Sequence, residues 1–293
     1  MKCTSQNTVV GFIGIGIMGR QMAMQIQKAG YKLHVYSRTQ SKAEQLIADG
    51  AIWHDTPADL ASVCDAIITM VGFPSDVSEL YLGKSGLIEN SRPGTILIDM
   101  TTSSPALAAS IHAQASAIGR RVLDAPVSGG ELGASNAALS IMVGGDPVDF
   151  SDALPLLECL GKHIALHGVA GAGQHAKMAN QIAIAANLTG ACEALAYASA
   201  AGLDPQKVLQ SIGSGAAGSW QLSNMGPRML DKNSPPIFYV KHFLKDLTIA
   251  MSAADALGQS LPACEFTKEQ FDRLDAMGQG DEGTQRLYSL YRK

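Results

Sequence analysis

The chain has 293 residues, 22 Lys and Arg against 26 Asp and Glu, a net charge of −4, and 46% hydrophobic but only 16% charged residues. This length suits two domains with sizeable cores better than one, and the weak acidity lacks the basic surface that nucleic acid requires. Five scattered cysteines without a CxxC pair exclude a disulfide scaffold or a zinc module.

The first residues, MKCTSQNTVV, show no signal-peptide order and run directly into a strand. Apolar runs rich in β-branched residues predict strands at 8–14, 32–37, 66–71, 95–100, 120–127, 139–145 and 163–168. Helical stretches lie between several of them, at 18–29 and 105–118. The second has a clear entry and exit: Ser104 can cap it, Pro105 takes the first helical position and Gly119 stops it. Alternating strands and helices imply parallel strands joined by right-handed crossovers, an α/β doubly wound sheet.

Near residue 170 the pattern changes. GVAGAGQ is a glycine-rich turn, and beyond it no convincing strand remains. An alanine-rich helix is expected from His175 to about Ala201, roughly 40 Å long at 1.5 Å per residue, and its small residues suggest burial between other helices. It carries Lys177, Asn180, Asn187 and Glu193, which an isolated membrane span would not tolerate. Further helices are expected at 204–213, 219–230, 240–257 and 262–278. The division is thus an α/β domain over 1–170 and an all-α domain over 171–293, with the long helix between them, in a cytoplasmic protein.

Gly14, Gly16 and Gly19 form G-I-G-I-M-G between the first strand and the first helix. The first glycine permits the tight turn, the second lets backbone approach a pyrophosphate, and the third lets helix pack on strand. Phosphate then meets the positive end of the helix. The plainer alternative is an ordinary strand–turn–helix corner, but the position after a clean strand near the N-terminus favours a Rossmann-type dinucleotide site, with Ile17 and Met18 beside the ligand. NAD recognition would need an acidic residue about 20 positions past the glycines. Between Gly30 and Gln40 there is none; the second strand ends in Ser37-Arg38-Thr39. Arginine can fork onto a 2′-phosphate and hydroxyls can donate to the same oxygens, so NADP(H) is favoured over NAD(H), the alternative being a solvated arginine at a strand end.

Three more segments stand out: D-M-T-T-S-S-P (Asp99–Pro105), D-A-P-V-S-G-G (Asp124–Gly130) and G-V-A-G-A-G-Q-H-A-K-M-A-N-Q (Gly168–Gln181). With the glycine loop and the later F-L-K-D-L (Phe243–Leu247), the chain resembles the β-hydroxyacid dehydrogenase family over essentially its whole length. That family includes 3-hydroxyisobutyrate dehydrogenases, tartronate semialdehyde reductases and glyoxylate/succinic semialdehyde reductases. The resemblance implies that Lys177 is the catalytic acid/base. Reducing an aldehyde with hydride leaves an alkoxide that needs a proton, which an ammonium can supply; near a helix N-terminus the dipole disfavours that cation and eases its release.

The resemblance further implies that Ser128, Gly129 and Gly130 hold a substrate carboxylate through a hydroxyl and exposed N–H groups. It also places Thr102 beside the nicotinamide ribose, Lys245 at the cofactor, and Phe238 and Asp246 near the substrate. Asn180 and Gln181 follow Lys177 by three and four residues on the same helix face, and either amide could hold substrate. Many family members have asparagine four residues after the lysine, where this chain has Gln181.

His163 and His167 share a strand face, but no nearby carboxylate or cysteine completes a metal site. Trp220 could wall a pocket, although tryptophan in a helical domain is more often core. The expected protein is a homodimeric or homotetrameric enzyme taking a small carboxylate-bearing aldehyde or hydroxyacid. An imine reductase of the same fold and a non-catalytic nucleotide-binding scaffold are the alternatives; Lys177 argues against the first, and Lys177 with Ser128 against the second.

Overall fold

The computed structural model describes residues 2–292. The chain divides into two compact units, Met1–Lys177 and Met178–Lys293.

The first unit contains, in order, β1 (Val9–Ile13), α1 (Ile17–Lys28), β2 (Lys32–Tyr36), α2 (Glu44–Ala48), β3 (Ile52–Trp53), α3 (Pro57–Ala61), β4 (Ala66–Thr69), α4 (Pro74–Leu82), α5 (Leu87–Asn90), β5 (Ile96–Asp99) and α6 (Pro105–Ala117). Then come β6 (Arg121–Asp124), β7 (Val127–Ser128), α7 (Gly130–Ser135), β8 (Leu139–Gly144), α8 (Pro147–Leu157), β9 (Gly161–Gly168) and the start of α9 (Ala172–Ala200). Six strands are parallel, in the order β3-β2-β1-β4-β5-β6. The order reverses at β1, the switch point where open α/β sheets leave a crevice at their carboxyl ends.

The strand interiors are apolar on both faces because helices cover both. Val10, Phe12, Ile68, Ile96 and Ile98 pack into one cluster; the alternating Ile13, Ile67 and Leu97 pack into another. The helix at 105 forms as its sequence predicts: the Ser104 hydroxyl accepts the N–H of Leu107, Pro105 opens the first turn, and Gly119 follows at φ +70°.

Beyond β6 the sheet departs from the parallel pattern expected of it, since β8 pairs antiparallel with both β6 and β7 before β9 joins it in parallel. The single strand expected over 120–127 is interrupted at Ala125–Pro126. Proline has no N–H for the ladder, and its carbonyl instead accepts the N–H of Met142 at 3.0 Å. The two-residue strand β3 has too short a run for periodicity to reveal.

The second unit consists of the rest of α9, then α10 (Pro205–Ile212), a π-helical turn at Gln221–Met225, α11 (Gly226–Leu230), α12 (Val240–Ala256), α13 (Pro262–Ala276) and a 3₁₀ segment, Thr284–Leu290. Its core gathers Leu188, Cys192 and Leu195 of α9 with Phe243, Leu247, Phe271 and Leu274, the Phe243 and Phe271 rings meeting edge to face at 5.0 Å. The continuous helix expected over 219–230 is broken in register at the π turn, just before Gly226-Pro227. The long helix is not buried all round as its small residues suggested: Ala183, Ala186, Asn187 and Gly190 are exposed on the side away from this core. All five cysteines are free thiols, and Cys3, Cys64, Cys192 and Cys264 are buried. Among the described residues no helix is long and apolar enough to cross a membrane.

Candidate active site

At the end of β1 the N–H of Gly14 donates to the carbonyl of Tyr36 at 3.0 Å, which ties the glycine loop to the end of β2. Gly14 has φ +98°, a conformation that strains any other residue. A Cβ on Gly19 would run into the Gly14 carbonyl, whereas one on Gly16 would meet nothing within 4 Å. Gly16 is also the N-cap of α1, which receives no side-chain cap and has no acidic residue in its first turn. Its N-terminal N–H groups are therefore left for an anionic ligand, which is the fit that a dinucleotide pyrophosphate requires. Ile17 is exposed and Met18 half-buried beside this opening.

Ser37, Arg38 and Thr39 follow directly after β2, on the strand neighbouring β1. The Arg38 side chain is 80% exposed, and one terminal nitrogen lies 3.2 Å from the Asp76 carboxylate. Asp76 is itself fixed at the start of α4, where it accepts the N–H of Phe73 at 3.0 Å.

The strand register sets Ile13, Thr69, Asp99 and Asp124 in one row at the carboxyl edge of the sheet. Asp99 accepts from the Thr69 hydroxyl (2.9 Å) and the Thr101 N–H (3.1 Å), and the Thr101 hydroxyl accepts the N–H of Val71 at 3.0 Å. Burial raises the Asp99 carboxyl to about 6 against these hydrogen bonds. Thr102, half-buried, is the next residue along this ordered loop.

Asp124 fastens the start of α9. Its two oxygens accept the N–H groups of Gly171 (2.7 Å) and Gln174 (2.8 Å). Burial pushes its carboxyl up, and the backbone donors oppose that. Gln174, fully buried, accepts the Ser103 N–H at 2.9 Å and donates to the Thr101 carbonyl at 2.8 Å. The first turn of α9 is thus joined to both the Asp99 and the Asp124 loops. Three residues later comes Lys177, only 6% exposed. Ser128 ends β7, half-buried, and Gly129 (φ +134°) and Gly130 (φ +61°) turn the chain outward so that their backbone is exposed.

In the second unit a polar chain runs through the helices. Asn180 Nδ2 donates to Gln181 Oε1 at 2.7 Å, and Gln181 Nε2 donates to Asp246 Oδ2 at 2.6 Å. Lys245 Nζ stands 3.0 Å from Asp246 Oδ1. Burial and the neighbouring Lys245 and Lys241 lower the His242 imidazole. The Phe238 ring is tilted against Phe243 at 5.6 Å. Trp220 is 59% exposed, so the core role that its residue type suggested does not hold.

Asp99, Asp124 and Gln174 lie in segments that stand out in the sequence, where they carry no role of their own, and Asp76 lies outside those segments. The visible trace was two apolar strands that each close on Asp, at Asp99 and Asp124. Nothing local to Gln174 or Asp76 announces their partners. His163 and His167 are exposed on β9.

Comparison with known proteins gives the following. The family model described as the NAD binding domain of 6-phosphogluconate dehydrogenase matches residues 9–169, and that described as NAD-binding of NADP-dependent 3-hydroxyisobutyrate dehydrogenase matches residues 171–291. An uncharacterized oxidoreductase of Bacillus subtilis (strain 168) is 51% identical over 284 residues, covering 97% of this chain and 99% of the relative. The 2-hydroxy-3-oxopropionate reductase of Escherichia coli (strain K12) is 40% identical over 269 residues, 92% of each chain. Among solved structures, Mycobacterium tuberculosis 3-hydroxyisobutyrate dehydrogenase with L-serine superposes with a TM-score of 0.89 at 29% identity, covering 98% of this chain and 99% of that one. A Streptomyces aurantiacus imine reductase, at TM-score 0.66 and 19% identity over 97% of this chain and 100% of its own, shares the fold alone.

Proposed function

The chain belongs to the β-hydroxyacid dehydrogenase family, NAD(P)-dependent oxidoreductases acting on CH–OH groups, and from that premise we propose that it interconverts a small carboxylate-bearing aldehyde and its hydroxyacid with NADP(H), using Lys177 as the acid/base. The observation that carries this reading is the burial of Lys177 just past a helix start fastened by Asp124. An ammonium held at such a place can give its proton to a developing alkoxide.

In the proposed site the open N-terminus of α1, with Gly14, Gly16, Ile17, Met18 and Gly19, holds the pyrophosphate, and Thr102 and Lys245 flank the rest of the cofactor. Ser37, Arg38 and Thr39 take the 2′-phosphate, which is the basis for preferring NADP(H); the exposed Arg38 fork supports it. A bound reduced nicotinamide supplies the hydride. Ser128 and the Gly129–Gly130 amides orient the substrate carboxylate, and the resemblance to the family assigns Phe238 and Asp246 to the substrate as well. In reduction, Lys177 gives its proton to the developing alkoxide, leaving the alcohol and a neutral amine that regains a proton from water. In oxidation the same amine removes the hydroxyl proton.

Free, buried thiols support a reducing compartment such as the cytoplasm. The exposed small-residue face of α9 supports assembly as a homodimer or homotetramer. No observation favours the imine reductase reading beyond shared fold, and none favours a scaffold without turnover.

The test is a panel of glyoxylate, succinic semialdehyde, tartronate semialdehyde and 3-hydroxyisobutyrate with NADPH, NADH and their oxidised forms. Lys177→Ala is expected to lose about two to four orders of magnitude in turnover while still binding cofactor. Near-normal turnover in that variant removes Lys177 from the proton transfer.

A further inference from the structure

Three loops of the first unit meet beside β1. The Gly14 N–H reaches the Tyr36 carbonyl at the end of β2, and a Cβ on Gly14 would strike the Met70 carbonyl just past the end of β4. These two strands are the neighbours of β1 on either side. Arg38, which follows β2, and Asp76, on the helix that follows β4, come to the same place, and their side chains touch at 3.2 Å. A dinucleotide fold that reads an unphosphorylated ribose carries an acidic residue near the end of its second strand, and this sequence has none between Gly30 and Gln40. In the folded chain a carboxylate stands there all the same, brought from 38 residues beyond Arg38.

The two oxygens of Asp76 have different tasks. Oδ2 accepts the N–H of Phe73 at 3.0 Å, at the N-terminus of α4, where the helix dipole also favours a negative charge. That bond fixes the carboxylate, and the side chain is 21% exposed. Oδ1 faces Arg38, and a carboxylate oxygen can accept a second hydrogen bond. Arg38 gives one terminal nitrogen to the pair, so its fork keeps further N–H groups for another anion. An acceptor and a set of donors thus lie side by side.

We propose that Asp76 is a cofactor-specificity residue whose Oδ1 accepts the 2′-hydroxyl of an unphosphorylated adenosine ribose, so that the place where Arg38 takes a 2′-phosphate also admits NAD(H). The inference rests on the reading of the glycine loop and Ser37–Thr39 as the dinucleotide site. Toward a 2′-phosphate the same carboxylate is repulsive and competes for the arginine, which limits the preference for NADP(H).

Asp76→Asn isolates this role. The one oxygen of asparagine is taken by the Phe73 N–H, so its NH₂ comes to lie where Oδ1 was. The atom facing the ribose changes from a charged acceptor to a neutral donor. That change suits a phosphate and loses the charge-assisted bond from a hydroxyl.

The experiment titrates the protein calorimetrically with ADP, 2′-deoxy-ADP and 2′-phospho-ADP, which carry no nicotinamide and need no turnover. Wild type is expected to bind ADP about tenfold more tightly than 2′-deoxy-ADP, as one hydrogen bond to a charged group implies. In Asp76→Asn that ratio should fall to about one, while 2′-phospho-ADP binds about threefold more tightly than it does to wild type. Arg38→Gln should weaken 2′-phospho-ADP and keep the preference for ADP over 2′-deoxy-ADP. A wild type that does not distinguish ADP from 2′-deoxy-ADP overturns the proposal without recourse to any variant. So does an Asp76→Asn protein that weakens all three ligands equally, the signature of a disturbed α4.

The readings beneath it fail in different ways. If no member of the hydroxyacid panel turns over but these ratios hold, the reaction reading has failed and the assignment of Asp76 stands. If Arg38→Gln leaves 2′-phospho-ADP unaffected while Asp76→Asn abolishes the preference for ADP, Arg38 lies outside the phosphate site and Asp76 still reads the ribose. A wild type that binds none of the three has no nucleotide site at the glycine loop, and both assignments fall.

Discussion

The Asp124 carboxylate holds the backbone N–H of Gln174 at 2.8 Å, fifty residues along the chain. Through this bond the end of β6 determines where α9 begins, and so where Lys177 is carried. Asp124→Asn keeps the shape but turns one acceptor into a donor facing an N–H. The expected cost is about 1–3 kcal/mol of stability in urea unfolding, together with a fall in kcat larger than any change in cofactor affinity. A variant as stable and active as wild type would show that α9 is placed by other contacts.

Gly16 and Gly19 are expected to respond to alanine in opposite ways. Gly19→Ala drives a methyl group into the Gly14 carbonyl, so helix and strand must separate and thermal stability should drop. Gly16→Ala has open space around it and should fold normally. Its methyl group instead occupies the approach to the α1 N-terminus, and cofactor affinity should weaken at least tenfold. Calorimetric melting and fluorescence titration with NADPH distinguish the two.

Arg38→Gln removes the proposed 2′-phosphate partner without setting a second carboxylate against Asp76. NADPH specificity is expected to fall about 10- to 100-fold, with NADH kinetics little changed. Equal losses with both cofactors would place Arg38 outside the phosphate site.

Two buried groups give opposite pH slopes to stability. Burial lowers the His34 imidazole to about 4, so the folded state binds fewer protons than the unfolded one, and stability is lost as pH falls from 6.5 to 4. Burial raises Asp99 to about 6, so the folded state holds an extra proton and stability is lost as pH rises from 3.8 to 6. The slopes largely cancel in wild type. Asp99→Asn should expose the first, making stability climb with pH across that window. His34→Phe should expose the second, making it decline. Urea unfolding at several pH values reads both, and parallel curves for all three proteins would remove these groups from the pH response.

Much of the first unit was legible because its signals are local. Apolar runs mark β1, β4 and β5, the glycine spacing marks the entry to α1, and Ser104-Pro105 marks the start of α6. The interruption at Pro126 was also visible, but it was outweighed by the apolar residues on either side. What sequence could not reveal are bonds made across long separations. Gln174 meets Ser103 across 71 residues and Gln181 meets Asp246 across 65, and neither glutamine differs in its neighbours from one on a surface helix. The exposed side of α9 is hard to read for a related reason: alanine packs against a helix or faces water with little difference in pattern.

The five cysteines carry a practical consequence. Burial raises every one of their thiols, Cys64 to about 12, which starves each sulfur of the thiolate through which alkylating reagents and peroxide react. The folded enzyme should therefore keep its activity through iodoacetamide treatment and through storage in air without reductant, and labelling of these positions becomes a sensitive report of unfolding.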